Sequence, residues 1–182
     1  MMRLFLFIFF VITNVFLANA QFSYQANVEA RIHLNSIALL DIEPNNFPFL
    51  LDLKNTIEAG QKIYSRRDST KWINYTSALK PSTSHRSLSA HICSRVIPSG
   101  TALFLEASSY MGHGKGQFGR SSGTVQLANY PQNIINNIGG SYSGTGVGNG
   151  YQLLYYLEIT NYSLLDFEDA NTLTIVYTLT DD

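Results

Sequence analysis

The sequence predicts an all-β protein, an antiparallel β-sandwich with at most one short helix. Three observations carry this. Apolar and polar residues alternate with period 2 along much of the chain, turn residues separate these runs at short irregular intervals, and the composition beyond the N-terminal region is rich in Tyr, Thr and Ser. About eight to ten such runs suit two packed sheets, with a barrel of similar strand number as the alternative.

Within segment 28–34 the apolar residues alternate as Val28, Ala30, Ile32 and Leu34, and the phase slips by one to Ile37 and Leu39. This predicts a half-buried strand broken or bulged near Asn35-Ser36. Segment 41–48 holds two prolines and Asn45-Asn46 and is read as a turn or loop. A short strand is expected at 49–53, and a turn at Glu58-Ala59-Gly60 leads toward another. Strands are predicted at 72–79 and at 88–96, where Leu88, Ala90, Ile92 and Val96 share a face, with a polar loop around Pro81 between them. Pro98-Ser99-Gly100 is a turn signal, and the apolar run 101–107 after it suits a central strand. A glycine-rich loop at 112–123 precedes a short strand at 125–128. Pro131 followed by Ile134, Ile135 and Ile138 at helical spacing predicts one or two helical turns. A second glycine-dense stretch, 139–150, leads into a strand at 151–160 and a connection through 166–171. The most regular alternation is Leu173, Ile175, Tyr177 and Leu179 against Thr172, Thr174, Val176, Thr178 and Thr180.

Met1-Met2-Arg3 forms a short positive start, 4–17 is almost wholly apolar, and Ala18-Asn19-Ala20 is a small-x-small site ahead of Gln21. This predicts an export signal over 1–20 and a single domain over 21–182. The apolar run is about 14 residues, interrupted by Thr13 and Asn14, whereas a membrane span needs about 20. No second long apolar stretch follows, so no transmembrane span is expected in the mature chain. The expected location is the periplasm, the cell surface or the extracellular space.

Hydrophobic residues make up 45% of the 182 residues and charged ones 14%, against about 25% charged in typical soluble proteins. The chain is therefore neither a disordered segment nor a polyelectrolyte. Twelve Lys and Arg against thirteen Asp and Glu give a net charge of −1, so no basic excess exists to neutralise phosphates, and nucleic acid is excluded as an expected partner. Cys93 is the only cysteine. It rules out an intramolecular disulfide, and it is expected to be a small buried residue in the run 87–97. Asn74-Tyr75-Thr76 and Asn161-Tyr162-Ser163 match the glycosylation triplet, which has meaning only on a eukaryotic secretory route.

Candidate ligand-binding residues come from the first glycine loop. There His113, Lys115, Gln117 and Arg120 are donors, Tyr110 and Phe118 are apolar contacts, and an acidic or saccharide ligand fits that chemistry. An exposed hairpin loop shaped by glycine is the simpler reading. The second loop adds Tyr142 and Asn149. Gly114-Lys115-Gly116-Gln117-Phe118-Gly119 matches a dinucleotide fingerprint in letters only, because a strand rather than a helix is expected after it. Gly119-Arg120-Ser121-Ser122-Gly123 likewise lacks the strand-then-helix setting of a nucleophile elbow. His33, His85, His91 and His113 have no metal-ligand spacing. The acidic residues Asp166, Glu168, Asp169, Asp181 and Asp182 read as solvated connection and terminus. No catalytic residue, metal site or cofactor is assigned.

The Thr-rich run Asn171-Thr172-Leu173-Thr174-Ile175-Val176-Tyr177-Thr178-Leu179-Thr180 resembles the closing strand of exported bacterial β-sandwich proteins of the pilin-like and spore coat protein U-like kind. The resemblance covers the last quarter of the chain. It implies an immunoglobulin-like form of the sandwich and a surface or appendage component, assembled by donating a strand to a neighbour. The chain departs from that class in lacking a disulfide pair and any evident donor strand beyond 21–27. The leading expectation is thus a non-enzymatic exported structural or adhesive protein acting through protein–protein contact or self-association. A secreted carbohydrate-binding module is the alternative, with a glycan held on an exposed aromatic patch of Tyr110, Phe118, Tyr142 and Tyr151. In the first case the segment 21–34 is expected to pair poorly with its own sheet.

Overall fold

The computed structural model describes residues 28–45, 48–54, 58–94, 97–165 and 172–182. Its strands are β1 (Ile37–Glu43), β2 (Leu53–Lys54), β3 (Tyr64–Ser65), β4 (Asp68–Ala78), β5 (Arg86–Ser94), β6 (Thr101–Ala107), β7 (Lys115–Gly116), β8 (Arg120–Ser121), β9 (Thr124–Gln126), β10 (Gln132–Ile138), β11 (Ser141–Tyr142), β12 (Tyr151–Ile159) and β13 (Thr174–Asp181). Among the described residues a single 3-10 turn, Tyr162–Leu164, is capped by Asn161, whose side chain accepts from the Ser163 N–H at 2.9 Å.

All pairings are antiparallel. One sheet runs β7-β11-β4-β12-β6-β9 with β1 on the other side of β4, a second runs β13-β5-β10-β8, and β2 and β3 form a small ribbon. The fold is an all-β sandwich. Alternate residues of the first sheet, Ile73 and Tyr75 on β4, Leu103 and Leu105 on β6, and Tyr151, Leu153 and Tyr155 on β12, share one core with Leu88, Ala90 and Ile92 on β5 and Ile134, Ile135 and Ile138 on β10. Each large side chain removed from water there stabilises the fold by about 2 kcal/mol.

Three expectations are corrected. The segment 131–138 is strand, not helix. Its register slips between Asn133 and Ile135 and again between Ile135 and Ile138, and Asn137 adopts φ 60°. Two irregularities break the alternation, so three buried isoleucines fall at a spacing that imitates a helical face. Segment 28–34 forms no strand, and Val28, Ile32 and Leu34 are exposed. Cys93 is also exposed. It has the parity of Ser87, Ser89 and His91 on β5, opposite to that of the core residues Leu88, Ala90 and Ile92.

Other boundaries shift by a few residues. β1 extends to Glu43, the strand expected at 49–53 reduces to β2, and the first glycine loop holds β7 and β8. A compact unit spans Leu34–Asp182. The expected leader 1–20, residues 21–27 of the segment 21–34 and the connection 166–171 lie outside the described residues.

Candidate functional site

Two regions concentrate the residues singled out by sequence: the glycine loops and the strand edge formed by β1. The loops are held by tyrosines and asparagines of the core strands. Tyr110 stacks on Phe118 with centroids 3.6 Å apart and meets the Tyr151 ring edge-on at 5.9 Å. The Phe118 carbonyl accepts hydrogen bonds from the hydroxyls of Tyr75 and Tyr151. The Tyr110 hydroxyl donates to the Ser143 carbonyl at 3.2 Å and accepts from the Gly114 N–H at 2.6 Å. Burial pushes the phenol pKa values of Tyr75 and Tyr151 above the ordinary tyrosine value, because a phenolate there would lose its water.

The aromatic patch expected of a saccharide site is therefore not formed by these four rings. Tyr151 is buried, Tyr110 and Phe118 are half-buried against each other, and only Tyr142 is open to solvent. Among the donors, His113 and Lys115 are exposed, and Lys115 on β7 sits directly opposite Tyr142. Arg120 is on β8, in the second sheet, paired with Asn136, so it does not share a strand neighbour with Lys115.

Asn74 anchors the second loop. Its Nδ2 donates to the Asn149 carbonyl at 2.6 Å and its Oδ1 accepts from the Gly146 N–H at 2.8 Å. Ser143 closes the same region as though it were a strand residue, donating its N–H to the Tyr75 carbonyl and accepting the Tyr75 N–H on Oγ. Asn74 is thus a buried structural residue, and the glycosylation triplet around it is inaccessible in the folded chain. Asn161 of the other triplet is exposed.

The β1 edge has a different character. Among the described residues, β1 pairs with β4 alone. Leu40 and Ile42 lie opposite Tyr75 and Ile73 and turn to the core, which leaves Ile37 and Leu39 on the outer face. Residues directly opposite in an antiparallel ladder share a face. Leu39 is opposite Thr76, Thr76 is opposite Tyr142, and Tyr142 is opposite Lys115, giving one continuous row across β1, β4, β11 and β7. Leu39 is 63% exposed and Tyr142 46%.

Arg86 fastens β1 in place and was not singled out by sequence reasoning. Its Nε pairs with Asp181 at 2.5 Å, Nη1 donates to the Ile37 carbonyl and to Ser77 Oγ, and Nη2 donates to Ser36 Oγ at 3.0 Å. One buried guanidinium thus joins β5, β13, β1 and the residue before β1. An arginine flanked by polar residues carries no sequence signal for such a role.

Among the described residues no group of three or more His, Cys, Asp or Glu is placed to hold a metal ion, and no helix is long and apolar enough to cross a membrane. No protein-family model, curated protein or solved structure matches this chain.

Proposed function

We propose that this is an exported, non-enzymatic structural or adhesive protein that assembles with a second copy of itself, in the manner of the pilin-like class its closing strand resembles. The carrying observation is the β1 edge, unpaired on one side among the described residues, with Leu39 exposed beside it. An unpaired edge offers backbone N–H and C=O groups to an added strand. The occupant that fits is segment 28–34 of a neighbouring copy. Its apolar residues recur at every second position, as a strand with one buried face requires, and Val28, Ile32 and Leu34 are exposed in the single chain. The immunoglobulin-like form and the location outside the cytoplasm belong to the same proposal.

Light scattering on the purified protein over a concentration series tests the reading. The expected result is mass that grows with concentration, and reversion to monomer on Ile32→Asp or Leu39→Lys, both at exposed positions. A monomer at all concentrations overturns it.

A further inference from the structure

Beside the end of β1, the start of β4 and the segment 48–50 line a solvent-open cleft of about 490 Å³. That volume lies within the roughly 300–1,000 Å³ range of small-molecule sites. Its walls combine apolar rings, Phe49 and Pro48 among them, with three cationic side chains, Arg66, Arg67 and Lys71. Phe49 is fixed by stacking on Tyr155, centroids 4.3 Å apart. Arg67 is held over the Tyr156 ring at 4.8 Å.

Among the described residues, the charges lining this cleft do not balance. Lys71 is only 6% exposed, yet its Nζ has one hydrogen bond, to the Pro44 carbonyl at 2.7 Å. An ammonium carries three donors. Among the described residues the one ion pair is Arg86 with Asp181, so neither Lys71 nor the two arginines has a carboxylate partner. Asp68, the one carboxylate lining the cleft among the described residues, uses Oδ1 to accept from both the N–H and the hydroxyl of Thr70. A buried cation without a counter-charge is destabilising, and an oxyanion brought to it relieves that penalty while the guanidinium groups supply directed donors.

We infer that this cleft is a binding site for an organic carboxylate or sulfate whose ring presents an apolar face. Lys71 takes the anionic group at the inner end, Arg66 and Arg67 close over it, and Phe49 and Pro48 pack against the ring. Acidic sugars and aromatic acids share this chemistry. The site is independent of the assembly reading, since its ligand is a small molecule and it binds a monomer equally well.

The test is a titration of isotope-labelled protein followed by its amide resonances, at constant ionic strength, with glucuronate, benzoate, glucose and inorganic sulfate. Saturable shifts at residues 68–71 are expected with at least one organic anion, and which of the two binds tells the acidic sugar from the aromatic acid. Glucose should leave these resonances unmoved, and sulfate should bind more weakly than the organic anion. Arg66→Gln with Arg67→Gln, both at exposed positions, should weaken binding about tenfold without altering the rest of the spectrum. Lys71→Met should abolish binding while the Tm holds or rises, because an apolar side chain replaces an unpaired buried charge. The inference is overturned if neither organic anion binds, if sulfate binds as tightly as they do, or if the double arginine variant retains full affinity.

Discussion

Arg86 and Asp181 form an unequal pair, the guanidinium 3% exposed and the carboxylate 46%. The arginine also serves the Ile37 carbonyl and the Ser36 and Ser77 hydroxyls, whereas the aspartate can regain water when its partner goes. Arg86→Ala should therefore lower stability by about 3 kcal/mol, and Asp181→Asn by less than about 1 kcal/mol, in urea denaturation. Tyr155 and Tyr177 meet hydroxyl to hydroxyl at 2.5 Å inside the sandwich, and burial first, then their mutual proximity in the case of Tyr155, raises both pKa values above the ordinary one. With Tyr75 and Tyr151 also raised, the folded chain holds phenol protons that the unfolded chain releases near pH 10. The sign follows from linkage: this contribution is whole below about pH 10 and is lost as pH rises beyond it. The urea midpoint is expected to fall steeply between about pH 9 and 11, and a midpoint indifferent to that interval would contradict the assignment.

At the scale of elements, the glycine loops and β10 show how local backbone conformation is used. Gly150 has φ 84°, and a Cβ built there would sit 2.1 Å from the Ile73 carbonyl oxygen, in the place where the loop returns to β4 and β12 begins. Gly140 has open space around it. Gly150→Ala should thus destabilise by more than about 2 kcal/mol and Gly140→Ala by less than about 0.5 kcal/mol, a contrast readable from paired Tm values. In β10 the left-handed Asn137 lies within the second register slip, between Ile135 and Ile138. Asn137→Gly should be nearly neutral, whereas Asn137→Val should destabilise by about 1–2 kcal/mol, since a β-branched residue resists positive φ. The misread helix at 131–138 has the same origin. Sequence periodicity reports which residues are buried, and a bulged strand can bury consecutive residues such as Ile134 and Ile135 that a regular strand would send to opposite faces.

For the whole molecule, the proposed association through a backbone edge and apolar side chains should depend little on salt. The self-association constant is expected to change by less than about threefold between low and high ionic strength, in sedimentation or light scattering, and a larger decline would point to charge pairing instead. The last strand and the alternation around Leu88 were legible in the sequence, because a residue between two sheets must be apolar at every second position wherever its strand pairs, and 101–107 and 151–160 were legible as strands. Alternation in 28–34 carries the same signal and no strand, for a pattern states what a segment can bury and not whether a partner is present. Sequence also brought out Tyr110, Phe118 and Tyr151 as aromatic and placed them near glycines, but not that their rings would turn inward to hold a loop. The sequence by itself determined an all-β chain, the alternating core faces of the long strands and the absence of an intramolecular disulfide. Tertiary structure decided which edge is unpaired among the described residues, where Arg86 reaches and which cations surround the cleft at Lys71, because these depend on residues far apart in the chain brought together by strand order.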